Sequence, residues 1–188
     1  MSTENNKHIC PVELAGSLDN SIRRLLQNPR KILSPFIIKG MTVLDLGCGP
    51  GFFSMEIAQM LNNSGKVIAA DLQEGMLEKL RQKIKGTEFE NKIELHKCQD
   101  DNIGITEKVD FVLAFYMIHE VSGQDKLFKE LKSVLNPDGK ILIVEPKLHV
   151  SKKSFEKMIE KIEGIGLQII DRPKLLFSRS VVLAKKKL

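Results

Sequence analysis

Residues 41 to 51 read Met-Thr-Val-Leu-Asp-Leu-Gly-Cys-Gly-Pro-Gly, and the reading of this stretch decides the fold. A β-prone apolar run, Val43, Leu44 and Leu46, ends in glycines at positions 47, 49 and 51, and an amphipathic helical pattern follows from Phe52 to Leu61. That is a strand, a tight loop and a helix. Lacking Cβ atoms, Gly47, Gly49 and Gly51 let the backbone turn at positive φ and let a ligand approach main-chain N–H groups at a helix start. The loop is therefore expected to cradle a nucleotide. A dinucleotide loop reads G-x-G-x-x-G, whereas this one reads Asp-x-Gly-x-Gly-x-Gly, so its spacing does not suit NAD. Asp45, two residues before the first glycine, would repel a pyrophosphate but suit a ligand that carries an ammonium group and no phosphate.

Outward from the loop, apolar runs and helical patterns alternate. Strands are expected at 41 to 46, 66 to 70, 92 to 97, 109 to 115 and 139 to 145, and helices at 51 to 62, 73 to 85, 123 to 135 and 151 to 164. Two final strands, Gln168 to Asp171 and Ser180 to Ala184, join through a turn around Pro173. The link over 98 to 108 is too short for a full helix. This order predicts an α/β fold: a Rossmann-like, doubly wound, seven-stranded sheet, mostly parallel, in three αβα layers. Residues 1 to 37 precede the sheet. There a polar arm broken by Pro11 leads to a helical pattern (14, 18, 22, 25, 26) ended by Pro29, then a short turn at 30 to 33 before Pro35. We read 1 to 37 as a helical cap segment and 38 to 188 as the sheet domain.

In such a sheet the ligand lies at the carboxyl ends of the strands, beside strand one. The residues expected there are Asp45, Gly47, Cys48, Gly49 and Gly51, then Asp71 and Leu72, the stretch Cys98 to Asp101 with its acids Asp100 and Asp101, and Ala114 to Met117, Phe115 among them, at the end of strand four. A carboxylate at Asp71 accepts hydrogen bonds from both hydroxyls of a ribose, or caps the helix that starts at Gln73.

The string DLGCGPG resembles the first motif of class I S-adenosylmethionine (SAM)-dependent methyltransferases, in the small group similar to the ubiquinone and menaquinone C-methyltransferases. Asp71 and the stretch LNPDGKILIVEP at 135 to 146 extend the resemblance over about residues 38 to 186. It implies SAM as cofactor, S-adenosylhomocysteine as product, and a sheet closed by an antiparallel C-terminal strand. It also implies that Leu72 lies flat on the adenine and that Asp101, or Asp100, accepts from the adenine amino group. The implied function is methyl transfer to a small-molecule acceptor. The alternatives are RNA or protein side-chain methylation, or SAM binding without turnover. Methyl transfer from a sulfonium needs alignment first, and a base only where the nucleophile must lose a proton. His119 and Glu120, just past strand four in Ala-Phe-Tyr-Met-Ile-His-Glu-Val, are the candidates for that chemistry. Related enzymes that methylate nucleic-acid amino groups carry Asn or Asp with Pro-Pro and an aromatic here, and this chain does not.

Composition agrees with a globular domain. The chain has 188 residues, 42% hydrophobic and 28% charged, and the N-terminal MSTENNKHICPVE has no apolar signal region. Three cysteines without regular spacing fit a reducing compartment, so a cytoplasmic location is expected, with no membrane span. The net charge of +5 is C-terminal: residues 150 to 188 hold ten Lys or Arg against four Asp or Glu. A solvated helix face and a basic tail account for that excess without a nucleic-acid partner. His8 with Cys10 and His96 with Cys98 share metal-ligand residue types but no known ligand spacing, and no metal is expected.

Overall fold

The computed structural model describes residues 27–62 and 64–187. Its elements in chain order are α1 (Pro29–Leu33), β1 (Thr42–Leu46), α2 (Ser54–Leu61), β2 (Lys66–Asp71), α3 (Glu74–Ile84), β3 (Ile93–Lys97) and β4 (Val109–Phe115). A 3-10 turn (Ile118–Glu120), α4 (Gln124–Val134), β5 (Leu135–Pro146), α5 (Lys152–Gly164), β6 (Leu167–Asp171) and β7 (Ser178–Lys185) follow. The seven strands form one sheet in the order β3-β2-β1-β4-β5-β7-β6. β1 lies between β2 and β4, parallel to both, and β7 alone runs antiparallel to its neighbours. The order reverses at β1, so the switch point opens between the carboxyl ends of β1 and β4.

Alternation along the strands builds two cores. Leu44, Ile68, Val112 and Ile141 pack on one face against Phe128 and Leu131 of α4 and Phe155 and Ile159 of α5. Val43, Val67, Phe111 and Leu142 pack on the other against Leu33 of α1, Ile57 of α2 and Leu80 of α3. Both faces are covered, which is why the parallel strands read as nearly continuous apolar runs. The architecture is the three-layer one expected.

Most boundaries shift by a residue or two from the sequence reading, and three shifts have a local cause. Gly51 adopts φ +88°, outside helical space, so α2 begins at Ser54 rather than at 51. Pro29 starts α1, so the short turn expected at 30 to 33 begins one residue earlier. It occupies the first turn, where its missing N–H costs nothing, and the Asn28 side chain accepts from Lys31 N–H at 3.0 Å. β5 begins at Leu135, because Leu135 pairs with Val109 across a register shift and Asn136 Nδ2 donates to Asp110 Oδ1 at 2.6 Å, so 135 to 138 stays on the sheet. The helical pattern over 14 to 26, with Arg23 and Arg24, and the pair His8 and Cys10 lie outside the described residues.

Candidate active site

Among the described residues the buried acids Asp45, Asp71 and Glu145 stand at the carboxyl ends of β1, β2 and β5, beside the turn that leaves β4. The glycine loop after β1 departs from the expected cradle in one respect. Its amides are already donated inside the protein: Gly47 and Cys48 N–H to Ala70 O at 2.8 and 3.0 Å, Gly49 N–H to Asp71 Oδ2 at 2.8 Å, and Gly51 N–H to Cys48 O at 3.1 Å. Pro50 has none to give. A phosphate would find no free main-chain donor at these positions.

Asp45 itself is 2% exposed, and its Oδ2 accepts from Ser54 Oγ at 2.5 Å, tying the start of α2 beneath the loop. Cys48 is buried, and burial, reinforced by Asp45 and Asp71, pushes its thiol well above the ordinary range. Cys48 thus serves the loop through its backbone. Gly49, at φ +54°, has nothing within 4 Å of where a Cβ would stand, so it borders open space. Gly47, at φ +70°, is closed from above: a Cβ there would lie 2.9 Å from Met117 Cβ. Met117, the last residue of the stretch expected at the end of strand four, therefore stands directly over the loop. Gly47→Ala should cost about 1–3 kcal/mol of stability, from backbone strain and displacement of Met117. The denaturation midpoint reads this loss, and a midpoint at the wild-type value would show that the loop adapts.

Asp71 uses both oxygens on backbone: Oδ2 on Gly49 N–H and Oδ1 on Gln73 N–H, each at 2.8 Å. Burial raises its carboxyl above the usual range, and the bonds from Gln73 and Gly49 and the charge of Lys97 oppose that rise. Leu72 N–H adds a further backbone contact, and since an ionised carboxylate has about four acceptor positions, capacity remains for a hydroxyl donor. The ammonium of Lys97 donates to the carbonyls of Leu72 and Cys98, strapping the β2 and β3 turns together. Beyond β3, Asp101 reaches sideways to Lys126 of α4 at 3.0 Å. This pair and Asn102 hold its carboxyl below the ordinary value. Asp100, the residue before it, has no such bond to α4 among the described residues. His96 Nε2 contacts Ile103 O at 2.7 Å, so the ring braces the loop after β3. Among the described residues no group of three or more His, Cys, Asp or Glu is placed to hold a metal ion.

After β4 the chain bends sharply. Phe115 is 7% exposed, and its ring lies 4.4 Å from those of Phe53 and Tyr116, measured between centroids, so it packs more than it lines open space. Tyr116 adopts φ +60°, an uncommon conformation for a side-chain-bearing residue. Its hydroxyl meets Gln27 Nε2 at 2.7 Å and Ser178 Oγ at 2.6 Å, joining the start of the described chain to the start of β7. The 3-10 turn then presents His119. The ring's Nδ1 is 2.5 Å from Glu145 Oε2, and burial leaves Glu145 only 1% exposed. His119 keeps 23% of its side chain exposed. The hydrogen bond to Glu145 raises the imidazole above its usual value, and its own burial opposes that. The acid acting on His119 is thus Glu145 across the sheet, and Glu120, next in sequence, adds only a minor charge effect. A lone acid in the apolar run Ile-Leu-Ile-Val-Glu-Pro, at the same end as Asp45 and Asp71, was the signal available for it.

The methyltransferase domain family's sequence pattern matches residues 37–175. The chain belongs to this family. A SAM-dependent methyltransferase from Aquifex aeolicus superimposes with a TM-score of 0.83, covering 93% of this chain and 98% of that one at 27% identity. The demethylmenaquinone methyltransferase of Lactobacillus johnsonii is 33% identical over 107 residues, 56% of this chain and 44% of that protein. The ubiquinone/menaquinone biosynthesis C-methyltransferase of Escherichia coli is 24% identical over 135 residues, 71% of this chain and 52% of that protein. The chain spans about half the length of these curated relatives. SAM is the cofactor of this methyltransferase domain. The site fits it: open space at Gly49, acceptor capacity at Asp71, and a loop without free amides suit a ribose and an ammonium rather than a phosphate. No helix among the described residues is long and apolar enough to cross a membrane.

Proposed function

We propose that the chain transfers a methyl group from SAM to a small-molecule acceptor that meets His119 at the carboxyl end of β4. The observation that carries this reading is a half-buried imidazole held on a pinned turn, two residues after the Met117 that touches the cofactor loop. SAM, when bound, supplies a methyl group activated by a sulfonium, which leaves as a neutral thioether. Asp71 would hold the ribose, Leu72 and Asp101, or Asp100, would meet the adenine, and the loop from Gly47 to Gly51, with Asp45 beneath it, would face the ammonium. His119 would take a proton from the acceptor. The names of the curated relatives favour a small acceptor such as a quinone precursor. The basic C-terminal segment is the one feature that would suit RNA or protein, and Arg172 within it is paired with Glu156 at 2.8 Å. The free, buried Cys48 and Cys98 suit a reducing, cytoplasmic setting.

Calorimetry tests the cofactor half of the proposal. SAM and S-adenosylhomocysteine should bind, with NAD and ATP about 100-fold weaker or less, because their phosphates would forgo charge-assisted hydrogen bonds of about 1.5–3 kcal/mol each. Comparable NAD affinity would overturn the reading of the loop. Methyl transfer to labelled metabolite pools tests the acceptor half, and label found only in RNA or protein would refute it.

A further inference from the structure

We propose that Glu145 is a positioning residue that locks His119 in the tautomer protonated at Nδ1, so that Nε2 faces the acceptor as a bare lone pair. This rests on the reading of His119 as a base and narrows the acceptor to one that releases a proton on methylation, such as a hydroxyl or an acidic C–H.

The geometry supports it from both ends of the carboxylate. Glu145 sits next to last in β5, one residue past Val144, which pairs with Phe115, the last residue of β4. That register puts its side chain under the turn that leaves β4. Oε1 accepts from the Ile118 main-chain N–H at 3.0 Å, and Oε2 is 2.5 Å from His119 Nδ1. One carboxylate therefore holds the backbone before His119 and the ring of His119 at once. An ionised carboxylate has only acceptors, so Nδ1 must be the donor. Gln124 Nε2 closes the turn from the other side by donating to Ile118 O at 3.0 Å. The ring is thus fixed in orientation as well as in tautomer.

The charged and titratable neighbours come from four elements. Glu145 lies on β5, Glu120 on the turn itself, and His149 beyond β5, its ring 5.6 Å from that of His119. Arg179 stands opposite Glu145 on β7, with its Nε bonded to Val150 O. In the step itself the acceptor's X–H proton passes to Nε2, and its bonding pair remains on the acceptor as the nucleophile. The imidazolium so formed rests against the Glu145 carboxylate. Only the neutral ring can take that proton, so turnover should climb as pH rises through a value above 6.5 and level off beyond it.

E145Q separates positioning from structure. The amide keeps the shape and its Oε1 still accepts from Ile118, but its Nε2 donates to Nδ1, which forces the proton onto the far nitrogen and removes the lone pair. Nitrogen-15 NMR of the histidine rings in the full chain, without acceptor, should find Nδ1–H in the wild type and Nε2–H in E145Q. Wild-type His119 protonated at Nε2, or exchanging between tautomers, overturns the proposal whether or not the variant folds. In turnover, E145Q should lose about 100-fold at the wild-type plateau, keep its SAM affinity, and add no further loss to H119A. If H119A is impaired and E145Q is not, Glu145 has no positioning role while the reading of His119 stands. If H119A itself retains full turnover, that reading fails instead.

Discussion

His119→Ala is expected to bind SAM as the wild type does and to lose about 100- to 10,000-fold in turnover, the range for removal of a general base. The imidazole is a partly exposed titratable group on the pinned turn after β4, bound through Nδ1 to Glu145. A loss confined to KM would mean that the ring positions the acceptor without taking a proton. Wild-type kinetics on the identified acceptor would show that the His119–Glu145 bond only braces β4 against β5. The alanine also leaves Glu145 with one partner fewer in a site that is 99% shielded from solvent, so a modest fall in stability should accompany the kinetic loss.

Asp71→Ala should weaken SAM about 30- to 1000-fold, the equivalent of roughly 2–4 kcal/mol from two charge-assisted hydrogen bonds to a ribose. The carboxylate also holds Gly49 N–H and Gln73 N–H, so the variant frees one amide of the glycine loop and one at the start of α3. Discrimination against phosphate ligands should shrink in the same variant, because Gly49 N–H then becomes available to an anion. Burial raises the Asp71 carboxyl, so SAM affinity should fall on acidification nearer to neutrality than an ordinary aspartate would dictate. An unchanged dissociation constant in calorimetry would reduce Asp71 to a brace between loop and helix.

The layers of this protein were legible because each is written in local patterns. Apolar runs of strand length, helical periodicity between them, and three glycines at alternate positions leave few arrangements other than a parallel sheet covered on both faces. The switch point, and with it Asp45, the glycine loop and Asp71, follow from strand order. What the sequence could not carry was the direction of each hydrogen bond. The glycine loop reads as a cradle of N–H groups, but whether an amide faces a ligand or the protein depends on where Ala70 O and Asp71 Oδ2 stand, and those belong to another strand. The sequence offers Asp101, with Asp100 beside it, and it does not show that Lys126 of α4 approaches Asp101. Glu120 is next to His119 in sequence, yet Glu145, 26 residues away, is its partner, because the β4–β5 register brings the end of one strand under the turn that follows the other. Local composition determined which elements form and in what order they stack. Contacts between distant strands decided which polar group meets which, because hydrogen-bond partners are set by register and burial rather than by proximity along the chain.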